Sequence, residues 1–254
     1  MMDSTPEKLV GALVNGIAII RYLQKSCGGV GVGVTQVARD LGINPSTCFN
    51  LLRTLVHEGL ASFDPSTKTY ALSMGVLSLA QGALAGDNHI RVLHPELQRL
   101  SLKFGVAMNL WRVVSEDRVV LVDRTEPTAT VQISMRIGQR LPLFTGAFGR
   151  CFAAQSRLSK AEIERRFNKI RLVRPPDFDQ WYAELDHVRQ VGLAVDRGNF
   201  AVGITTVAVT LSDARDQPFL AVSAISISEQ IDDAKLESLS REMLGLSKTV
   251  RQRG

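Results

Sequence analysis

The first seventy residues show three stretches of helical periodicity followed by one stretch of alternation. Apolar residues recur at helical spacing over 8–25, 34–42 and 45–58, which predicts three helices. Over 60–73, apolar and polar residues alternate on both sides of the turn sequence DPSTK, which predicts a β-hairpin. Two helices, a short turn, a third helix and a hairpin follow the order of a winged helix-turn-helix. We therefore predict this fold for residues 1–72.

A segment rich in alanine and glycine follows the hairpin, and we predict a linker helix over 73–88. From about residue 89 to residue 254 the pattern changes, because strand-like runs are grouped apart from helical runs. This grouping indicates an α+β domain with a mainly antiparallel sheet. The elements predicted there are helices at 91–105, 146–156, 159–170, 178–191 and 231–250, and strands at 106–114, 118–124, 129–137, 193–199, 204–211 and 218–227.

Length and composition narrow the class of protein. With 254 residues and 45% hydrophobic content, the chain can form one large domain or two ordinary ones. No apolar stretch approaches the roughly 20 residues of a membrane span, and MMDSTPEK lacks the apolar core of a secretory signal, so we expect a cytoplasmic protein without a membrane partner. Cys27, Cys48 and Cys151 are widely spaced, which argues against a disulfide framework and a cysteine zinc site. We predict neither a metal nor a cofactor.

The net charge of +5 and the isoelectric point near 9.3 are compatible with a polyanionic partner. Residues 1–72 contain six Lys or Arg and five Asp or Glu, a net charge of +1, so the other +4 lies downstream. The total charge therefore does not locate a nucleic-acid surface, and the placement of individual residues must do so.

The segment NPSTCFNLLRTLVHEG, residues 44–59, has the features of a recognition helix. Asn44 is suited to the N-cap and Pro45 to the first helical position, which turns Cys48 and Leu55 inward. The outward face then carries short polar groups, and its only acid, Glu58, lies at the far end. Such a helix can enter the major groove of DNA. The predicted DNA contacts are Thr35, Gln36, Asn44, Ser46, Thr47, Phe49, Asn50, Arg53 and, in the hairpin turn, Lys68. The alternative is a solvated helix on which Phe49 covers a neighbouring element.

The stretch TGAFGRCFAA, residues 145–154, has the features of a helix start. Thr145 is predicted to cap this helix, which leaves the backbone N–H groups of Gly146 and Ala147 free to bind a carboxylate. The alternative is a capped helix whose small residues pack on the sheet. Cys151 also raises the alternative of a cysteine-dependent enzyme, but it lies beyond the first helical turn and no histidine is near in sequence.

Three segments resemble the IclR family of bacterial transcription regulators. VTQVARDLGINPSTCFNLLRTLVHEGLASFD resembles the family's DNA-binding domain, and RIGQRLPLFTGAFGRCFAA and VRQVGLAVDRGNFAVGITTVAVTLSD resemble its effector-binding domain. The resemblance implies a winged helix-turn-helix joined by a linker helix to a GAF-like sensor domain. It also implies a homodimer or a dimer of dimers that binds a palindromic DNA operator under the control of a small metabolite.

The resemblance also implies positions in the effector pocket. Asp196 in GLAVD matches a pocket aspartate, Thr206 stands where the family usually has cysteine, and Ser223 matches a family serine. Ile225 replaces a position that is often polar, so we expect an effector with an apolar or aromatic body and one carboxylate or carbonyl end. The predicted effector-binding residues are Leu143, Gly146, Ala147, Asp196, Thr206 and Ser223. A winged-helix module that binds another protein is the remaining alternative.

Overall fold

The computed structural model of the chain describes residues 9–25, 31–79, 88–127, 133, 135–171, 174–213 and 215–253. For residues 247–253 it describes the helical backbone and not the side chains. The chain divides into two compact units, Met1–Gly86 and Asp87–Gly254. Within the described residues, no helix combines the length and apolar character needed to cross a membrane.

The first unit is a winged helix-turn-helix, as predicted. Its elements are α1 (Gly11–Lys25), β1 (Val32–Gly33), α2 (Val34–Leu41), α3 (Pro45–His57), β2 (Ala61–Asp64), β3 (Thr69–Leu72) and the helical residues 75–79, here called α4. The strands form an antiparallel sheet in the order β1-β3-β2, in which β2 and β3 are the predicted hairpin. The short strand β1 was not predicted.

The buried face of α1 differs from the apolar face that the sequence suggests. The spacing predicts one apolar face formed by Leu9, Leu13, Ile17, Ile20 and either Leu23 or Tyr22, yet Leu9, Leu13 and Ile17 are exposed. Leu23 is buried as that face requires, but the other buried residue of the helix is Ile19, which was not predicted. Apolar residues occupy most of the circumference of this helix, so its periodicity could not distinguish the core face from the solvent face.

The start of α2 differs from what the sequence suggests. In the segment VTQVARDLG, Thr35 is the residue suited to the N-cap, but the helix begins at Val34 and Gly33 takes the cap position without a side-chain hydrogen bond. The physical reason is that β1 pairs with β3 up to Gly33, so the chain passes directly from strand to helix. Gly42 ends α2 as predicted, with φ of 66° in the left-handed region.

The second unit is an α+β domain, as predicted. Its elements are α5 (Asn88–Phe104), β4 (Ala107–Ser115), β5 (Arg118–Thr125), β6 (Arg140–Pro142), α6 (Gly146–Gln155), α7 (Lys160–Phe167), α8 (Phe178–Val191), β7 (Leu193–Arg197), β8 (Ile204–Ser212), β9 (Pro218–Ile227), a 3-10 turn (Ser228–Gln230) and α9 (Asp233–Arg253). The six strands form one sheet in the order β6-β5-β4-β9-β8-β7, and neighbouring strands are antiparallel.

Each face of this sheet carries its own hydrophobic core. Helices α5 and α9 cover one face, where Leu97 and Met243 belong to the same core cluster as Leu110 of β4. Helices α6 and α8 cover the other face, where Leu185 packs in the same cluster as Trp111 of β4. Because side chains alternate along a strand, β4 contributes to both cores.

Two predicted elements are only partly covered by the described residues. In the predicted strand 129–137, residues 129–132 and 134 lie outside the described residues, and 133 and 135–137 are not in a strand. The edge strand β6 instead lies at Arg140–Pro142 and pairs with β5. In the predicted linker helix 73–88, residues 75–79 are helical, and 80–87 lie outside the described part of the chain.

Candidate functional site

The start of α3 is fixed by the predicted N-cap. The Asn44 side-chain oxygen accepts hydrogen bonds from the backbone N–H of Ser46 at 3.0 Å and from its hydroxyl at 2.7 Å. Pro45 takes the first helical position. The cap satisfies a backbone donor that would otherwise lack an intrahelical partner, so the first turn of α3 has a defined geometry.

The two faces of α3 separate as predicted. Cys48, Leu52 and Leu55 are buried in the core of the first unit. The predicted DNA contacts are all exposed, namely Thr35, Gln36, Asn44, Ser46, Thr47, Phe49, Asn50, Arg53 and Lys68. This face is therefore accessible to a partner, and its polar side chains do not form part of the hydrophobic core.

Phe49 is the apolar exception on this face. Its side chain is 42% exposed, so it is not explained as part of the core. The Arg53 guanidinium lies over the ring, with its carbon 5.8 Å from the ring centroid. A cation placed over an aromatic face is weakly attracted to it, which favours an extended Arg53 side chain along the outer surface of the helix.

The tip of the hairpin is organised by Asp64. Its carboxylate accepts hydrogen bonds from the hydroxyl and backbone N–H of Ser66 and from the hydroxyl of Thr67. The Ser66 hydroxyl is the largest cause of the lowered pKa of Asp64. Lys68 follows with φ of 55°, an unusual backbone conformation for a residue with a side chain. These bonds fix the turn that carries the exposed Lys68 amine.

An apolar groove beside α3 was not predicted. It is lined by Phe49, Arg53, Val56, His57, Phe63 and Tyr70. Phe63 and Tyr70 are cross-strand partners in the hairpin, with ring centroids 4.8 Å apart. The predicted hairpin contains the information needed to find this pair, because residues at equal distance from the turn face each other on the two strands.

The second unit contains a narrow cavity between the start of α6 and the sheet. Its lining residues are Trp111, Met135, Leu141, Thr145, Gly146, Ala147, Phe148, Phe200, Thr206, Ser223 and Ile225. Four of the six predicted effector-binding residues are therefore brought together, and Leu143 and Asp196 are not among the lining residues. The cavity is small, with a volume of about 20 Å³, which is roughly the space of one water molecule.

Polar groups at this cavity are buried and incompletely bonded. The hydroxyls of Thr145 and Thr206 have no hydrogen-bond partner among the described residues. Ser223 accepts a hydrogen bond from the indole N–H of Trp111 at 2.9 Å, which leaves its hydroxyl proton available to another acceptor. A buried hydroxyl without a partner is costly, so these groups mark a place suited to a polar ligand atom.

The helix start beside these hydroxyls differs in one respect from the prediction. Thr145 is the N-cap of α6 and lines the cavity, but its side chain makes no capping hydrogen bond. Gly146 has φ of 57°, and a Cβ atom at this position would lie 3.6 Å from Cβ of Phe200. The backbone N–H groups of the first helical turn have no acceptors within the helix and can bind an anion.

Asp196 has a structural environment that sequence reasoning did not predict. Its side chain is fully buried, and one carboxylate oxygen accepts a hydrogen bond from Arg150 at 2.9 Å. The other oxygen accepts the backbone N–H groups of Asn199 at 3.2 Å and Phe200 at 3.1 Å. Arg150 also binds Glu184 at 2.6 Å. Both oxygens of Asp196 are thus used within the protein.

Cys151 does not have the environment of a reactive thiol. It is completely buried, and its sulfur donates a hydrogen bond to the carbonyl of Ala208 at 3.2 Å. Burial raises the pKa of this thiol to about 12. The nucleophilic thiolate is therefore scarce at neutral pH, which argues against the cysteine-dependent enzyme.

Comparisons with known proteins decide the family. Residues 12–65 match the IclR helix-turn-helix domain, and residues 81–251 match the domain described as bacterial transcriptional regulator IclR C-terminal. The chain belongs to the IclR family of bacterial transcriptional regulators. The expected family resemblance is thereby confirmed, as is a DNA-binding helix-turn-helix followed by an effector-binding domain. That family membership is consistent with a protein that is not an enzyme.

Three relatives illustrate this membership. The transcriptional repressor IclR of Escherichia coli is 23% identical over 250 residues, which cover 95% of this chain and 89% of that protein. An IclR transcriptional regulator from Alicyclobacillus acidocaldarius has a crystal structure with TM-score 0.83 and 26% identity, covering 97% of this chain and 100% of the other. An IclR homolog from Microbacterium hydrocarbonoxydans, crystallised with 4-hydroxybenzoate, has TM-score 0.72 and 16% identity, covering 93% and 99% of the two chains.

Proposed function

We propose that this IclR-family chain is a repressor that binds a palindromic operator through the outer face of α3 and responds to a small organic acid. The observation that carries the proposal is the separation of faces on α3. Its inner side chains hold the helix on the core, whereas Ser46, Asn50 and Arg53 are exposed on the outer face. Small polar groups can approach phosphates and Asn or Arg can read base edges, which is the arrangement that major-groove recognition requires.

The test is DNA affinity after removal of two candidate base-reading side chains. Asn50→Ala and Arg53→Ala should each weaken operator binding by about 1–3 kcal/mol, or roughly 5- to 150-fold, because such base contacts specify sequence. Fluorescence anisotropy with a duplex selected from random DNA measures this loss. Arg241→Ala is the charge-matched control, since Arg241 is an exposed α9 residue. Unchanged affinity in both α3 variants would contradict the assignment.

Salt dependence distinguishes the proposal from the protein-interaction alternative. Contacts to phosphates release counterions, so operator affinity should fall steeply between about 50 and 200 mM salt. A module that recognises only another protein has no reason to bind a duplex with this dependence.

We propose that a second copy of this chain covers the exposed stripe of α1. Leu9, Leu13 and Ile17 are large, apolar and exposed, and Val10 and Val14 lie beside them. A two-fold dimer is the assembly that matches a palindromic operator. Light scattering should show a dimer or tetramer at micromolar concentration, and Leu13→Glu should shift it towards the monomer. A wild-type monomer would contradict this part of the proposal.

The proposed effector is an acid with an apolar or aromatic body. Its carboxylate would accept hydrogen bonds from the N–H groups of Gly146 and Ala147 and from the hydroxyls of Thr206 and Ser223. Trp111 and other aromatic side chains of the lining would cover its apolar part. The Microbacterium relative supports this chemical class, because 4-hydroxybenzoate is an aromatic acid. We propose that binding of such an acid changes operator affinity or assembly.

A further inference from the structure

We infer that the Phe200 side chain sets the size of the acid that the cavity accepts. We also infer that Asp196 and Arg150 hold Phe200 in position. The inference rests on the proposed effector function, and it assigns Asp196 a positioning role in place of direct effector binding.

Phe200 lies at the boundary between the cavity and solvent. It lines the cavity, yet its side chain is only half-buried, and it belongs to the connection between β7 and β8. Its Cβ atom lies close to Gly146. A Cβ atom added at Gly146 would be 3.6 Å from Cβ of Phe200 and 3.9 Å from the Thr206 hydroxyl. Phe200 therefore stands beside both the proposed anion-binding backbone and an unpartnered hydroxyl.

We infer from the narrow space that a wall of the cavity moves when an aromatic acid binds. About 20 Å³ accommodates a water molecule but not an aromatic ring. Trp111, Thr206, Ser223 and Ile225 are fixed by strands in the middle of the sheet, so moving their backbone would break ladder hydrogen bonds. Phe200 is outside that ladder, and rotation of its ring can enlarge the cavity without such a loss.

The backbone of Phe200 is held even though its ring is partly exposed. The Asp196 carboxylate accepts hydrogen bonds from the backbone N–H groups of Asn199 and Phe200. Arg150, which is bonded to Asp196, also donates a hydrogen bond to the side-chain oxygen of Asn199 at 3.0 Å. These bonds define where the ring is anchored. The ring of Phe200 is therefore a wall of the cavity that can rotate on a fixed backbone.

The experiment compares two carboxylic acids of different width in Phe200→Ala and wild type. Benzoate and 2-naphthoate share a carboxylate but have one ring and two rings, and calorimetry on the full-length protein gives a dissociation constant for each. Removal of the Phe200 ring should shift the ratio of the two constants by about tenfold in favour of 2-naphthoate, which corresponds to about 1.4 kcal/mol. Phe178→Ala is the matched control, because Phe178 is also half-buried but packs on Trp181 and Phe167. Its ratio should equal that of the wild type.

The possible outcomes separate this inference from the proposed function. If wild type binds benzoate and Phe200→Ala has the same ratio within twofold, the effector site stands and the role of Phe200 is wrong. If neither acid binds either protein, the proposed effector cavity is wrong and the inference falls with it.

The role of Asp196 has a separate readout. Asp196→Asn keeps an oxygen acceptor but removes the charge opposite Arg150, so the amides of Asn199 and Phe200 should exchange hydrogen faster and the ratio should move in the same direction as in Phe200→Ala. Faster exchange with an unchanged ratio would mean that Asp196 supports the fold without positioning Phe200.

Discussion

The outer face of α3 and the cavity of the second unit use polar groups in opposite ways. On α3, Asn50 and Arg53 are exposed, and the helix is anchored by its buried face and by the Asn44 cap. In the second unit, Asp196 accepts a hydrogen bond from the backbone N–H of the lining residue Phe200 and is bonded on both carboxylate oxygens, while the Thr206 hydroxyl has no partner among the described residues. An exposed face can change its chemistry with little effect on the fold. In the cavity, binding chemistry and stability depend on the same side chains.

The largest expected effect is the loss of the buried charge pair. Arg150→Met should destabilise the second unit by about 3–5 kcal/mol, because Asp196 would remain buried without its cationic partner. Urea unfolding followed by tryptophan fluorescence measures this loss selectively, since both tryptophans of the chain, Trp111 and Trp181, lie in the second unit.

The control for this prediction is an ion pair at the surface. Arg241 and Glu237 are each 74% exposed and lie one helical turn apart on α9. Arg241→Met should cost less than about 1 kcal/mol, because water screens exposed pairs. If the two Arg→Met variants lost equal stability, the buried network would not have the structural role that distinguishes the cavity from α3.

Local patterns predicted most of the fold, and contacts between distant residues account for what they missed. Helix α8 and strand β9 have the predicted bounds, because their periodicity and end signals are contained in the segments themselves. The strands β1 and β6 are two and three residues long and are defined by the partners with which they pair. Such short strands carry little pattern of their own.

The same difference applies to the two candidate sites. The outer face of α3 could be predicted because one helical period places its residues on one side. The pairing of Arg150 with Asp196 joins residues 46 positions apart and depends on how α6 packs on β7. Phe200 had no pattern that distinguished it from other core aromatics. Its place at the cavity follows from the β7–β8 connection.

The second prediction concerns a hydroxyl that serves binding at the expense of stability. Thr206→Val removes a buried hydroxyl without a described partner and keeps the side-chain shape, so it should stabilise the second unit by about 1 kcal/mol. The same change should weaken binding of the acid effector by about 1 kcal/mol, or roughly fivefold, if this hydroxyl binds the carboxylate. Urea unfolding and calorimetry measure the two effects on the same variant.

Thr210→Val provides the matched control on the same strand. The Thr210 hydroxyl is also buried, but it bonds the side-chain amide of Gln155 at 2.5 Å. Its removal should therefore destabilise the protein and leave acid affinity unchanged. A loss of stability in Thr206→Val would indicate that its hydroxyl is already satisfied in the free protein, which would weaken the contrast between the two sites.

The smallest expected effect tests whether any residue on the α3 face also has a structural role. Asn44→Ala removes the oxygen that caps α3 and should cost about 1 kcal/mol, whereas Asn44→Ser keeps a capping oxygen and should be nearly neutral. Amide hydrogen exchange in α3 measures the change, because tryptophan fluorescence does not report on the first unit. If Asn44→Ser restores the protection of α3 but not operator affinity, the Asn44 side chain must contact DNA as well as cap the helix. Asn44 would then be one position where the exposed face, like the cavity, uses a single side chain for both stability and recognition.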